Sequence, residues 1–281
     1  MRFLRYFGWF LLFMFLTIIT QIGGLVFLLC FPLFKIINEN IGRNIYRFAL
    51  NFLIFSLIYG IISYWIVPPL ATSNGRVPMP FGTDNPNLKP LNFLTVVFNR
   101  HYATPTLRQI TEGVSKKMAD KNPTDSLVVK YLECGFPFFD GFPLYPHLSH
   151  NDGKKIDLSL FYVDSETKML TNERPAWWGY GVSEEPRAGE ENWAQECRER
   201  GNWQYSFMRN YIVSQNRKSN FIFDARRTRD FMSQFLADNR VNFILIEPHL
   251  KTRLGFQNMQ KIKIPPCEAV RHDDHIHVAV Y

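Results

Sequence analysis

Hydrophobic and polar positions divide this chain into two unlike parts. From Gly8 to Phe34 no charged residue occurs, and a second uncharged run extends from Phe48 to Leu70. At a rise of about 1.5 Å per residue, the first run is longer than a hydrocarbon core of roughly 30 Å requires. It is expected to span with tilt, carrying Gln21, Gly23 and Gly24 inside one unbroken helix. It is too long for the apolar region of a signal peptide, and no small-residue cleavage site follows it. The second run ends at Pro68 and Pro69, with Tyr59, Tyr64 and Trp65 placed as interface anchors. Two transmembrane helices, about residues 8–34 and 48–69, are therefore expected within an anchor of residues 1–70.

Beyond them the patterning changes. Residues 71–90 are rich in Pro, Gly and Asn and read as an extended tether, which leaves residues 91–281 as one domain, long enough for its own core. Thr104-Pro105 opens a predicted helix through Ala119, with Leu107, Ile110 and Val114 at helical spacing. Asp224 caps another, Ala225 to Asp238, whose Phe231, Met232, Phe235 and Leu236 form an apolar stripe. Ile156 to Val163, Asn242 to Glu247 and Ile276 to Val280 read as strands. Helices and strands without regular alternation predict an α+β fold, a small antiparallel sheet with flanking helices. Between Asp164 and Ser219 the periodicity is weak and Trp177, Trp178, Tyr180, Trp193, Trp203 and Tyr205 accumulate. Such residues pack or, in a long excursion beside a site, form its wall or lid.

Charge adds less. The formal net charge is +7, yet the arginines of DARRTRD and RER lack the interleaved pattern of a nucleic-acid module, so no nucleic-acid partner is expected. An anionic polymer is compatible with this balance. Arg2 and Arg5 precede the first run, Lys35, Arg43 and Arg47 lie between the runs, and Arg76 and Lys89 follow. With two spans, that count slightly favours a cytoplasmic middle loop and both ends outside. Of four cysteines Cys30 lies in the first run, and Cys134, Cys197 and Cys267 offer one disulfide and one spare thiol without fixing the pairing.

The candidate chemistry is concentrated in histidine. Five of the seven histidines fall in two short stretches, YPHLSHNDGKKIDLSLFY and RHDDHIHVAVY. In the second, alternation puts His275 and His277 on one face of a strand. In the first, His150 and Asp157 lie across a turn at Gly153 and could reach one metal ion, with His277 completing the set. Two imidazoles and a carboxylate with one open position meet the needs of a catalytic Zn2+, which lowers the pKa of its water to about 7. His275 is then placed to handle the proton, and His272 to stabilise a developing oxyanion or hold the substrate.

The pattern His147, His150 and Asp157 in HLSHNDGKKID, with HDDHIH at the end, resembles the penicillin-insensitive murein endopeptidases. These belong to the wider group of lysostaphin-type, D-Ala-D-Ala-type and Hedgehog-type zinc domains, which share a small antiparallel sheet. The spacing H-x2-H-x6-D and then H-x2-H-x-H agrees at all six positions. The likeness runs from NRHYATPTLRQI to the end and excludes the apolar runs. It implies His150, Asp157 and His277 as zinc ligands and His147, His272 and His275 as catalytic or site-lining residues. The implied reaction is hydrolysis of a peptide cross-link in peptidoglycan, with the domain on the outer side of the cytoplasmic membrane. A D,D-carboxypeptidase or dipeptidase of the same group, using Asp274 as base, is the enzymatic alternative. A catalytically silent zinc domain that binds a peptide or wall polymer is the other. The chain departs from the family at Asn151, Lys154 and Lys155, where two lysines add positive charge that could meet a substrate carboxylate. His249 matches no motif position and is expected to be structural.

Overall fold

The computed structural model describes residues 2–281. Its N-terminal part is helical: α1 (Arg2–Thr20), α2 (Gly23–Leu29), α3 (Phe31–Asn40) and α4 (Asn44–Ile61), which continues through a π turn (Ile62–Ile66) into α5 (Val67–Ser73). The first apolar run is therefore not one helix. It breaks at Gln21, which adopts a left-handed backbone (φ 66°), and the chain doubles back until the Phe31 ring lies 4.8 Å from that of Trp9. The glycines permit this reversal: a Cβ on Gly24 would fall 1.9 Å from Thr17 Oγ1, and one on Gly23 would fall 2.6 Å from Thr20 Oγ1. The Gly23 N–H donates to Thr20 Oγ1 at 2.7 Å, serving one of the free donors at the start of the returning helix.

Of the two expected spans, one is found as a helix long and apolar enough to cross a membrane, Asn44–Ser73. The pair α2 and α3 is a second candidate only if its halves act together across a 51° bend, and the apolar part of α1, Tyr6–Thr20, is shorter. The helical part docks on the rest of the chain through specific polar contacts. Tyr59 donates to the Val97 carbonyl at 2.6 Å, at the end of α6 (Leu94–Val97), and Asn99 Nδ2 donates to the Tyr59 oxygen at 2.9 Å. At the α1–α2 turn, the Phe138 N–H donates to Gln21 Oε1 at 2.9 Å.

Residues 71–90, expected as a tether, are built into the fold. Strand β1 (Val77–Pro78) pairs with β3 (Tyr102–Ala103), and β2 (Leu88–Pro90) forms the edge of the main sheet beside β4 (Val129–Tyr131). Proline and asparagine do shape turns there, but Met79 and Leu88 are fully buried and fasten the segment to the core.

The main sheet has six strands in the order β10 (Ile262–Lys263), β9 (Val241–Leu245), β11 (His275–Val280), β5 (Lys155–Ser159), β4 and β2. The two outermost pairings are parallel and the three inner ones antiparallel, so the sheet is mixed around an antiparallel centre. The single strand expected over Ile156 to Val163 bends at the buried Leu160 and Phe161. Its second half, β6 (Tyr162–Asp164), joins β7 (Leu170–Thr171) and β8 (Phe221–Phe223) in a separate antiparallel sheet.

Helices α7 (Pro105–Lys121) and α9 (Ala225–Leu236) supply the core side of the main sheet. Thr104 caps the first by accepting the Leu107 N–H, and Asp224 caps the second by accepting the Arg227 N–H at 2.9 Å. Leu107, Ile110, Val114, Phe231 and Phe235 pack in one core with Ile156, Leu158, Ile276 and Val278. Burial of each such side chain contributes about 1.5–3 kcal/mol, which holds the two central strands in one register.

Candidate metal centre

Because Ile276, Val278 and Val280 of β11 enter the core, His275 and His277 share the opposite face. The register sets His277 against Asp157 and His275 against Ser159 on β5. His150 comes from the loop before β5, where its Nδ1–H donates to the Cys134 carbonyl at 2.7 Å. That bond leaves Nε2 as the ring nitrogen aimed inward, the one that a metal ion would take in place of its proton. The loop can return so tightly because Gly153 takes φ 63° and lies on Arg76, whose Nη1 would be 1.9 Å from any Cβ there. Arg76 in turn donates to the Asp152 carbonyl and pairs with Asp140.

Three donor atoms converge. His150 Nε2 is 3.1 Å from Asp157 Oδ1 and 3.1 Å from His277 Nδ1, and His277 Nδ1 is 2.9 Å from Asp157 Oδ1. All three residues are buried, and together they could hold a metal ion. The edges of this triangle are close to the ~3.3 Å separation that ligands at about 2.0–2.1 Å adopt around a tetrahedral ion. Two imidazoles and a carboxylate are also a donor set that satisfies such an ion, so the residues present fit one.

The surrounding groups are equally ordered. Tyr180 donates to Asp157 Oδ2 at 2.9 Å. His147 donates from Nδ1 to Glu133 Oε2 at 2.8 Å, and Arg100 Nη1 donates to Glu133 Oε1 at 2.6 Å. His275 donates from Nδ1 to Asp274 Oδ1, while Asp274 Oδ2 accepts the Gly181 N–H. His275 Nε2 is then buried without a hydrogen-bond partner, 3.7 Å from Asp157 Oδ2. The His272 ring lies 4.7 Å from that of His275, and its Nδ1–H donates to the Val270 carbonyl at 2.7 Å.

Electrostatics separates these groups. Burial opposes charge on Asp157, but the His150 and His275 charges and the bonds from His150 and His277 hold its carboxyl well below the usual carboxylate range. Burial, with His275 and His277 nearby, keeps His272 neutral, and burial lowers His277 to about 4 despite Asp157. For His275 burial is outweighed by Asp157 and Asp274, which raise it to about 9. Burial, reinforced by Asp157 and Glu133, pushes the Tyr180 phenol well up, so it stays a donor.

All six predicted site residues therefore meet on one face of the sheet: His150, Asp157 and His277 at the centre, His147, His272 and His275 around it. Lys155 is paired with Asp152 and Lys154 is exposed, and neither lines the adjoining cavity. His249, in α10 (Pro248–Arg253), donates from Nε2 to the Glu184 carbonyl at 2.6 Å and is structural. Sequence reasoning missed Glu133 and Arg100, single residues outside the helices and strands with no motif around them. Tyr180 and Asp274 were visible only as a member of an aromatic segment and as the alternative base.

A cavity of about 250 Å³ adjoins the centre, lined among others by His147, Tyr180, Asp274, Trp177 and Trp178. The aromatic excursion thus walls the site. It is stapled by a disulfide from Cys197, in α8 (Trp193–Glu199), to Cys267, while Cys30 and Cys134 are free and buried. Comparison with protein-family models finds no match for this chain, and comparison with curated proteins finds none either.

Proposed function

We propose that this chain is a membrane-anchored zinc endopeptidase that hydrolyses peptide cross-links in peptidoglycan from the outer side of the cytoplasmic membrane. The observation that carries the reading is the convergence of His150, Asp157 and His277 beside a buried, unpartnered His275 Nε2. Zinc bound by the three would supply Lewis-acid polarisation and a water acidic enough to ionise near neutral pH. Asp157 and Asp274 hold His275 protonated on their own; with the charge of a bound zinc ion offsetting theirs, His275 Nε2 would be free to accept the proton of the attacking water and return it to the leaving amine. Oxygen from that water bonds to the carbonyl carbon as the C–N bond breaks, giving one carboxylate and one amine. Asp274 fixes the His275 ring so that Nε2 faces the site. His272, neutral with its Nδ1–H committed to Val270, offers Nε2 as an acceptor for a substrate N–H. His147, backed by Glu133 and Arg100, and Tyr180 bound the position of the substrate.

The hydrogen bonding of Asp274 favours the endopeptidase over a D,D-carboxypeptidase or dipeptidase. Both of its oxygens are engaged, one by His275 and the other by Gly181, so the proton-handling atom that faces the site is His275 Nε2. An orphaned catalytic nitrogen also weighs against a silent binding domain.

Two observations support an extracytoplasmic domain. The Cys197–Cys267 bridge belongs to an oxidising compartment. The helical part also runs to and fro: α1 approaches the domain, α2 and α3 lead away, and α4 returns. Lys35, Arg43 and Arg47 therefore sit at or near the turn remote from the domain, the arrangement that the positive-inside rule assigns to the cytoplasm. The sequence count rested on a single first span, and the reversal at Gln21 brings the start of α1 to that same remote end.

Digestion of purified peptidoglycan by the full-length protein in detergent tests the proposal. With zinc, cross-linked muropeptide dimers should become monomers by mass, and chelator or His150→Ala should abolish the conversion. Intact dimers with zinc stoichiometrically bound would defeat it.

A further inference from the structure

A second cavity, of about 600 Å³, lies between the helical part and the domain. Its walls include Phe52, Phe55 and Gly60 of α4, Leu16 of α1, and Phe93 and Phe98 of the domain. Residue Phe98 lines both this cavity and the one beside His147 and Asp274. One wall of this apolar space is a helix long and apolar enough to cross a membrane, so the space adjoins the membrane boundary and hydrocarbon is the medium beside it. Apolar residues also rim the two cavities: Phe93, Leu94 and Trp177 are exposed, Phe93 lining the second cavity and Leu94 and Trp177 the one at the site. Exposed apolar patches of this kind mark contact surfaces, and Trp is favoured at the membrane interface.

We propose that the second cavity holds the hydrocarbon chain of a lipid-linked substrate, so that the amide presented to His150, Asp157 and His277 belongs to a peptide still tethered to the membrane. This rests on the endopeptidase reading and narrows its substrate to a membrane-bound wall peptide. The reaction is unchanged: water supplies hydroxyl to the acyl carbon and a proton to the amine.

The test uses the full chain in phosphatidylcholine nanodiscs and two synthetic cross-linked peptides, identical except for a 16-carbon chain carrying a diazirine on one of them. Gly60 offers a clean way to fill the groove, because a Cβ there meets nothing within 4 Å. Wild type should prefer the acylated peptide at least tenfold in kcat/KM. Gly60→Trp should cut that preference to within twofold while leaving turnover of the plain peptide unchanged. Ser56→Trp, one helical turn earlier on the same wall, guards against a folding defect in the first variant. A preference equal in wild type and both variants would overturn the proposal. If neither peptide is cleaved by zinc-loaded protein, the endopeptidase reading fails, and photolabelling decides the groove separately. Adducts on Phe93, Val97 or Phe98 support it, whereas adducts confined to the exposed Phe48, Leu53 and Leu57 overturn it.

Discussion

His277 on β11 and Asp157 on β5 are directly opposed across the antiparallel ladder, with Nδ1 and Oδ1 2.9 Å apart. Two of the three residues that could hold a metal ion are thus set by strand register, and a slip of β11 by one residue would turn His277 away from Asp157 and His150. Substituting His277 or Asp157 by Ala should reduce bound zinc, measured by mass spectrometry of the metal, from one per chain to near zero. Removing the metal from wild type with chelator should lower stability by about 4 kcal/mol relative to zinc at about 1,000 times its Kd, read as a shift in Tm. An unchanged Tm on chelation would remove this centre as a metal site.

Tyr180 touches the centre only through Asp157 Oδ2, the oxygen that does not face His150 and His277. Partners of this kind orient a ligand, and their loss typically costs 10–100-fold in metal affinity or activity. Tyr180→Phe should therefore weaken zinc binding by about tenfold or more in competition with a chromogenic chelator, with the fold intact. Affinity equal to wild type would make Tyr180 a packing residue.

His275 and Asp274 are separable by the size of their effects. Loss of the group that carries the proton typically costs 10²–10⁴-fold. His275→Ala should lower kcat by about that factor with zinc retained, and Asp274→Asn by less, because Asn keeps an oxygen toward His275 Nδ1. The reverse order would make Asp274 the base and return the carboxypeptidase reading.

How far the sequence could be read follows from the range of the forces involved. The convergence of His150, Asp157 and His277 was legible because alternation on β11 and the Gly153 turn are local signals. The two capped helices were legible for the same reason, through Thr104 and Asp224. The Gln21 reversal was not, because hydropathy averages over Gly23 and Gly24 and cannot see that they clear space for Thr17 and Thr20. The tether was misread because its turns dominate its composition while two residues, Met79 and Leu88, do the anchoring. Glu133 and Arg100 reach the site through tertiary contacts alone, and no pattern along the chain announces them.

A carboxyl outside the ligand set gives the stability a pH dependence. Glu247 is fully buried, its Oε1 accepts from Tyr205 and from the His272 N–H, and its Oε2 has no partner. Burial and the neighbouring Asp273 push its pKa up from 4.5 to about 7. The folded state thus binds a proton more readily than the unfolded chain. Its contribution is fully present below about pH 4.5 and is lost as pH rises through about 7. Glu247→Gln keeps an acceptor for both donors and removes the titration. Unfolding free energy from denaturant titrations should fall with rising pH in wild type by an amount on the order of 3 kcal/mol relative to the variant. Parallel profiles would exclude Glu247 as the cause.

The remaining prediction concerns sidedness, on which the choice of substrate depends. Gly42 lies in the turn between α3 and α4, beside Arg43, and a Cβ there meets nothing within 4 Å. Asn258 is exposed on the domain. Native thiols give little background, since Cys30 and Cys134 are buried and Cys197 and Cys267 are joined. A membrane-impermeant maleimide applied to spheroplasts should therefore label Asn258→Cys directly and Gly42→Cys only after permeabilisation. The basic turn predicts this direction through the positive-inside rule, and the disulfide predicts it through the redox state of the compartment. The opposite pattern would place the metal centre in the cytoplasm, where peptidoglycan is absent and an intracellular peptide would have to replace it.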